Sequence, residues 1–172
     1  MQKIKAYFLG STISSNSSEA HLLFNRNHFG EKSNEKIQYS PSEALFLVET
    51  NRMEVLIKNK KLSFDELTKK LLRVDKKIQT KYPVFRDLRK KGYIVKSALK
   101  FGAEFRVYEK SAKLDKKHAK WIVFTDNESG KITWHEFSSK NRVAHSTKKN
   151  LLIAIVDEEK GITYYEIKWV KP

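Results

Sequence analysis

Tyr108 and His118 stand at the two lips of a lysine-rich stretch, and Lys148 and Lys149 stand together just before an apolar run. The stretch is "GAEFRVYEKSAKLDKKHAKWIVF", Gly102 to Phe124. It reads as a strand closed by Tyr108, a basic loop, and a second strand opened by His118. A phenol, an imidazole and an ammonium together suit one reaction. RNA is cut without metal when its 2′-OH attacks the adjacent phosphate. That step needs a base on the 2′-OH, an acid on the departing 5′ oxygen, and a cation beside the phosphorane. Imidazole, ionising near pH ~6.5, is a suitable acid. Lysine is a compact cation for the developing charge. A free phenol ionises only near pH ~10, so a tyrosine base makes sense only with a cation within about 4–6 Å. Taken singly, each residue has an ordinary explanation: a sheet aromatic, a surface histidine, a solvated strand flank.

The composition sets the class of partner. The chain has 172 residues, enough for one good core or two small ones. Its formal charge is +15, from 35 Lys and Arg against 20 Asp and Glu. That balance points to nucleic acid, an anionic membrane surface or an acidic protein, and says little about fold. With no cysteine, disulfides and thiolate metal sites are excluded. No run of 18 apolar residues exists to span a membrane. The N-terminal "MQKIKAYFLG" is basic and then apolar, but too short for a signal peptide. A soluble, cytoplasmic protein is expected.

Stepping along the chain, residues 1–39 carry short β-like pieces, among them Ile4–Leu9 and His21–Phe24, parted by the polar run "GSTISSNSSEA", read as a turn or mobile loop. "SPSEALFLVE" is a helix start, with Ser40 as cap, Pro41 at the first turn and Glu43 completing a capping box. "EVLIKNKKLSF" reads as strand and turn. A long helical pattern follows, opened by a second box of Ser63 and Glu66, with Leu67, Leu71, Val74 and Ile78 on one face. Pro83 interrupts it, and a domain boundary is placed there. A further helix ends at Gly92. The rest reads mostly as strands: "YIVKSALKFGAEFRVYEK", "AKWIVFTD", "GKITWHEFSS", "NLLIAIVDE" and "GITYYEIKWV", with "NRVAHSTKK" as a short helix or loop. The expected fold is α+β or α/β: a small mixed N-terminal domain over residues 1–82 and a C-terminal α/β domain with a mixed sheet over 83–172.

Residues 82–172 resemble the archaeal tRNA-splicing endonuclease family. The resemblance rests on "FRVY", the following "KKHAKW", "RVAHS", the basic residues before "LLIAIVD", and the terminal "WVKP". The first half is similar more loosely, at "SPSEALFLVE" and "LSFDEL". The resemblance implies a C-terminal domain like restriction endonucleases in fold but not in active residues. It implies catalytic roles for Tyr108, His118 and Lys149, the last preferred over Lys148 by its spacing from "LLIAIVD". It further implies cleavage of precursor tRNA at a bulge-helix-bulge, leaving a 2′,3′-cyclic phosphate and a 5′-hydroxyl without metal or other cofactor.

The basic loop then faces the RNA backbone. Lys110, Lys113, Lys116, Lys117 and Lys120, together with Lys148, attract phosphate in a salt-sensitive way. Arg142, in "NRVAHS", matches a family position that stacks on a bulge base across a dimer. A second stacking arginine of the family falls near Tyr164, a departure here; the expectation is that Tyr164 stacks in its place. The family assembles as four domain pairs. For a chain of this length the resemblance implies a homotetramer, or a heterotetramer with a second endonuclease subunit. Asp126 and Glu128, in "TDNESG", match an acidic loop that docks into a partner's basic pocket. "GITYYEIKWV" suits a strand buried at a dimer interface.

Two rival readings remain beside this one. A metal-dependent nuclease of the restriction type would use Glu104 or Asp157 with Glu159 and Lys160. A non-catalytic RNA-binding subunit would shape the assembly, although such subunits lack the Tyr, His and Lys that this chain has.

Overall fold

The computed structural model describes residues 2–110 and 118–172, in two compact units, Met1–Tyr82 and Pro83–Pro172. Lys113, Lys116 and Lys117 lie outside the described residues.

In the first unit the elements run β1 (Ile4–Leu9), β2 (Thr12–Ser15), α1 (Ser18–Asn27), β3 (Glu31–Ser33), β4 (Lys36–Tyr39), α2 (Pro41–Glu49), β5 (Met53–Ile57), β6 (Lys60–Lys61) and α3 (Phe64–Val74). The sheet order is β3-β4-β2-β1-β5-β6, with β1 and β5 parallel. β1 alternates, burying Ile4, Ala6 and Phe8. Both capping boxes form, Ser40 with Glu43 and Ser63 with Glu66. Glu43 is buried, and its carboxylate is satisfied by the backbone N–H groups of Ser40 at 3.0 Å and Gly30 at 2.8 Å.

Three expectations for this unit are corrected. His21–Phe24 is not a strand but the middle of α1. The polar run before it is not a loop: it supplies β2, and then Ser17, whose hydroxyl caps α1 by accepting from the Ala20 N–H at 3.2 Å. The third correction concerns the long helical pattern, which breaks earlier than Pro83. Asp75 leaves helical geometry at φ −136°, and its carboxylate turns to the Lys77 N–H at 3.0 Å and the Lys81 ammonium at 2.8 Å.

Pro83 sits inside the next helix, α4 (Ile78–Lys90). An interior proline costs about 3 kcal/mol. Val84, Phe85 and Leu88, all buried in the turns that follow it, outweigh that at about 1.5–3 kcal/mol each.

The second unit continues with β7 (Ile94–Ser97), a 3₁₀ turn (Leu99–Phe101), β8 (Phe105–Tyr108), β9 (Trp121–Asn127), α5 (Trp134–Ser146), β10 (Asn150–Val156) and β11 (Ile162–Ile167). Its mixed sheet has the order β11-β10-β9-β8-β7, and β9 and β10 are parallel. One face packs under α5 through Ile122, Phe124, Leu151 and Ala144; on the other, Phe85 of α4 meets the Phe105 ring at 5.8 Å.

"GKITWHEFSS" is not a strand. Thr133 and Glu136 form a third capping box, with the Glu136 N–H on the Thr133 hydroxyl at 3.2 Å and the Thr133 N–H on the Glu136 carboxylate at 2.8 Å. They start α5, which absorbs "NRVAHS" as well. Asp126, near the end of β9, and Glu128, just after it, are therefore followed by α5 and not by a strand. α5 is the crossover that parallel β9 and β10 require.

Candidate active site

β9 is the hub of the site. It lies antiparallel to β8 and parallel to β10, so the end of β8 and the starts of β9 and β10 meet at one end of the sheet. Two backbone hydrogen bonds close that end. The Lys120 N–H donates to the Val107 carbonyl at 2.8 Å, and the Asn150 N–H donates to the Lys120 carbonyl at 3.0 Å. Tyr108 follows Val107, His118 precedes Lys120 by two residues, and Lys149 precedes Asn150. The structure thus brings the three together at one sheet end.

Tyr108 is buried at 9% exposure, packed with Ile94 and Ala119, the residue after His118. His118 itself is exposed.

Lys149 is positioned by the end of α5. Lys148 takes a left-handed conformation, φ +56°, which turns the chain out of the helix. The Lys149 N–H then bonds the Ala144 carbonyl at 2.9 Å, and its ammonium donates to the Thr147 carbonyl at 2.7 Å, 5.7 Å from the centre of the Phe101 ring. Burial, and secondarily the charge of Arg106, holds the Lys149 ammonium below the usual lysine range. Lys148 is exposed beside it.

Arg106 went unnoticed in the sequence. Its signal was the alternation in "FRVY", which puts Arg106 and Tyr108 on one face of β8. In register it pairs with Lys96 on β7 and Ile122 on β9, on the α5 face.

Arg142 is exposed on α5, its guanidinium donating to Ser139 Oγ at 3.2 Å, and it lines an open groove with Trp134, Phe137 and Trp169. Tyr164 is already engaged: its hydroxyl donates to the Asp87 carboxylate at 2.7 Å, and the Lys91 ammonium lies 5.1 Å from its ring centre. Burial and Asp87 push its phenol well above the usual range. That side chain is built into the sheet's packing on α4, which opposes its standing in for a stacking arginine.

Asp126 and Glu128 sit at the opposite end of the sheet from Tyr108. Asp126 accepts from the Asn127 N–H at 2.9 Å, and Glu128 accepts from the Glu158 N–H at 3.1 Å. The acidic residues of the rival metal reading are also at that far end. Glu104 accepts from the Thr125 N–H at 3.1 Å, and Asp157 folds onto the Gly161 N–H at 2.7 Å. Among the described residues no three His, Asp or Glu side chains gather to hold a metal ion, and no helix is long and apolar enough to cross a membrane.

Comparison with known proteins matches both halves of the chain. Residues 78–164 match the tRNA intron endonuclease catalytic C-terminal domain, and residues 4–68 match the N-terminal domain of the same enzymes. The chain is 40% identical to the tRNA-splicing endonuclease of Pyrococcus abyssi (strain GE5 / Orsay) across 99% of both chains. It is 42% identical to that of Thermococcus onnurineus (strain NA1), over 87% of this chain and 85% of the relative. It is 37% identical to the tRNA-splicing endonuclease of Methanothermobacter thermautotrophicus, over 89% of each chain. With both domains matched and relatives aligned nearly end to end, the chain belongs to the tRNA-splicing endonuclease family.

Proposed function

We propose that the chain cuts precursor tRNA at bulge-helix-bulge splice sites without metal. The 2′-OH attacks the adjacent phosphorus and the P–O5′ bond breaks, giving a 2′,3′-cyclic phosphate and a 5′-hydroxyl. Tyr108 takes the proton of the 2′-OH, His118 gives one to the departing 5′ oxygen, and Lys149 faces the charge of the phosphorane. Arg142 stacks on an unpaired bulge base, and Lys116, Lys117 and Lys148 draw in the backbone.

In this reading residues 83–172 carry the chemistry and residues 1–82 form an N-terminal domain. Cytoplasmic chains assemble as a homotetramer, or as a heterotetramer with a second endonuclease subunit. Asp126 and Glu128, far from the reacting end, meet a neighbouring subunit.

One observation supports the reading: the two backbone hydrogen bonds of Lys120 join the ends of β8, β9 and β10, next to which Tyr108, His118 and Lys149 stand in the chain. The experiment is to purify the chain alone, determine its mass in solution, and offer it a bulge-helix-bulge RNA in excess EDTA. Cleavage with cyclic-phosphate ends is expected. Cleavage abolished by EDTA and restored by magnesium would return the metal reading, and cleavage that needs an added second subunit would show a heteromeric enzyme.

A further inference from the structure

The sheet has a second face at its reacting end, and that face carries aromatic rings under lysines. Tyr93, ahead of β7, and Trp121, first in β9, alternate with the residues that pack under α5 and so point to the α4 side. Their rings meet edge to face at 5.5 Å. The Lys110 ammonium lies 5.4 Å from the centre of Tyr93, and the Lys120 ammonium lies 4.4 Å from the centre of Trp121. Both rings are half-buried and both lysines exposed.

The Trp121 indole is fixed in place, its N–H on the Glu166 carboxylate at 3.3 Å. Two carboxylates stand nearby. Glu166 is occupied by Trp121 and by the Asn150 amide, and Glu109 pairs with Lys120 at 3.6 Å in a solvent-exposed contact of small worth. Half-exposed rings beside exposed lysines suit a single-stranded polyanion: each phosphate engages a lysine, and each base takes the ring that the lysine covered.

We infer that Tyr93 and Trp121, with Lys110 and Lys120, form a second RNA-binding surface that holds unpaired nucleotides of the strand leading away from the cleaved bond. The inference rests on the proposed RNA substrate and deepens it, since it puts a sequence-tolerant grip behind the site. A strand passing over the sheet end touches the proposed catalytic groups on one face and this platform on the other.

The test is binding of fluorescent decauridylate across a salt series. Lys110→Gln with Lys120→Gln changes only exposed side chains. It should reduce the slope of log K against log salt by about 1.4, at about 0.7 per phosphate contact on a single strand. Trp121→Leu should weaken binding about 5- to 150-fold, while Trp121→Phe retains most of it, because both lose the bond to Glu166 and only phenylalanine keeps a π face. An unchanged slope in the lysine double variant overturns the inference, and so does equal weakening by leucine and phenylalanine. Cleavage of bulge-helix-bulge RNA by the wild type in the same preparation separates the two proposals. A wild type that binds but does not cut, either alone or with a second endonuclease subunit added, defeats the proposed activity, whereas one that cuts while the variants bind normally defeats the platform alone.

Discussion

Tyr108 and Lys149 stand in one row across the sheet, with Lys120 between them. The row follows from register: Val107 pairs with Trp121 and Trp121 with Asn150, so one step outward aligns Tyr108, Lys120 and Lys149. Two strand spacings put their backbones about 10 Å apart. The proposed reaction requires a phosphodiester between them, with the phenol on one side and the ammonium on the other. The Lys120 ammonium itself lies over Trp121, 4.4 Å from the ring centre, whereas Arg106 lies one row inward on the face of Tyr108.

Tyr108→Phe removes one hydroxyl and keeps a ring packed on Ile94 and Ala119. Single-turnover cleavage should fall by about 10²–10⁴-fold, the usual worth of a general base. Thermal unfolding should stay within a degree or two of wild type. A variant that unfolds early would assign Tyr108 to the core, and one that cuts at the normal rate would remove it from the reaction.

His118→Ala should lose cleavage by about 10²–10⁴-fold while RNA binding is nearly unchanged, as expected of an exposed general acid. A substrate with sulfur replacing the 5′ oxygen has a leaving group that needs no proton. It should be cut by His118→Ala at close to the wild-type rate. If the sulfur substrate is as slow as the oxygen one, His118 is not the acid.

Lys149 gives a prediction in pH. Its ammonium is disfavoured by burial and by Arg106, so it loses its proton below the usual lysine range. A cation needed at the phosphorane then disappears as pH rises, and the single-turnover rate falls on the alkaline side. Lys149→Arg keeps its charge there and should extend activity to higher pH. Arg106→Gln removes one of the two causes and should shift the alkaline limb upward with Lys149 intact. A limb that neither variant moves belongs to another group.

Arg142→Ala should weaken binding of bulged RNA by about 1–3 kcal/mol more than binding of a plain duplex, if the guanidinium stacks on a bulge base. Its bond in the protein is to Ser139 on the same helix, so stability should hold. Equal weakening on both RNAs, measured by competition at fixed salt, would leave only a phosphate contact.

Much of the architecture was legible where local chemistry and tertiary packing agree. Ser40 with Glu43 and Ser63 with Glu66 announce their helices because a capping box is local. The same box, Thr133 with Glu136, stood in "TWHE" and was overruled by its surroundings. Ile132, Trp134 and Phe137 are good strand formers in near-alternating positions. Trp134 is 84% exposed, so its burial did not decide the matter; the cap and the need for a crossover between parallel strands did.

Pro83 misled in the opposite direction, because sequence shows the lost N–H but not the buried neighbours that compensate for it. At the site, the positions of Tyr108, His118 and Lys149 at strand ends could be read from hydrophobic runs. Their common row could not, since it depends on register between strands distant in sequence; that Arg106 shares a face with Tyr108 was legible in the alternation of "FRVY".

The backbone of Lys120 holds two strands at once, giving its N–H to Val107 and its carbonyl to Asn150. Its amide and that of Asn150 lie on the inner strands of the sheet but at the end that carries Tyr108 and Lys149. Their exchange with deuterium therefore reports the opening of that end, and both should exchange through the same event. In urea, cleavage should be lost together with the protection of these two amides, at the same midpoint.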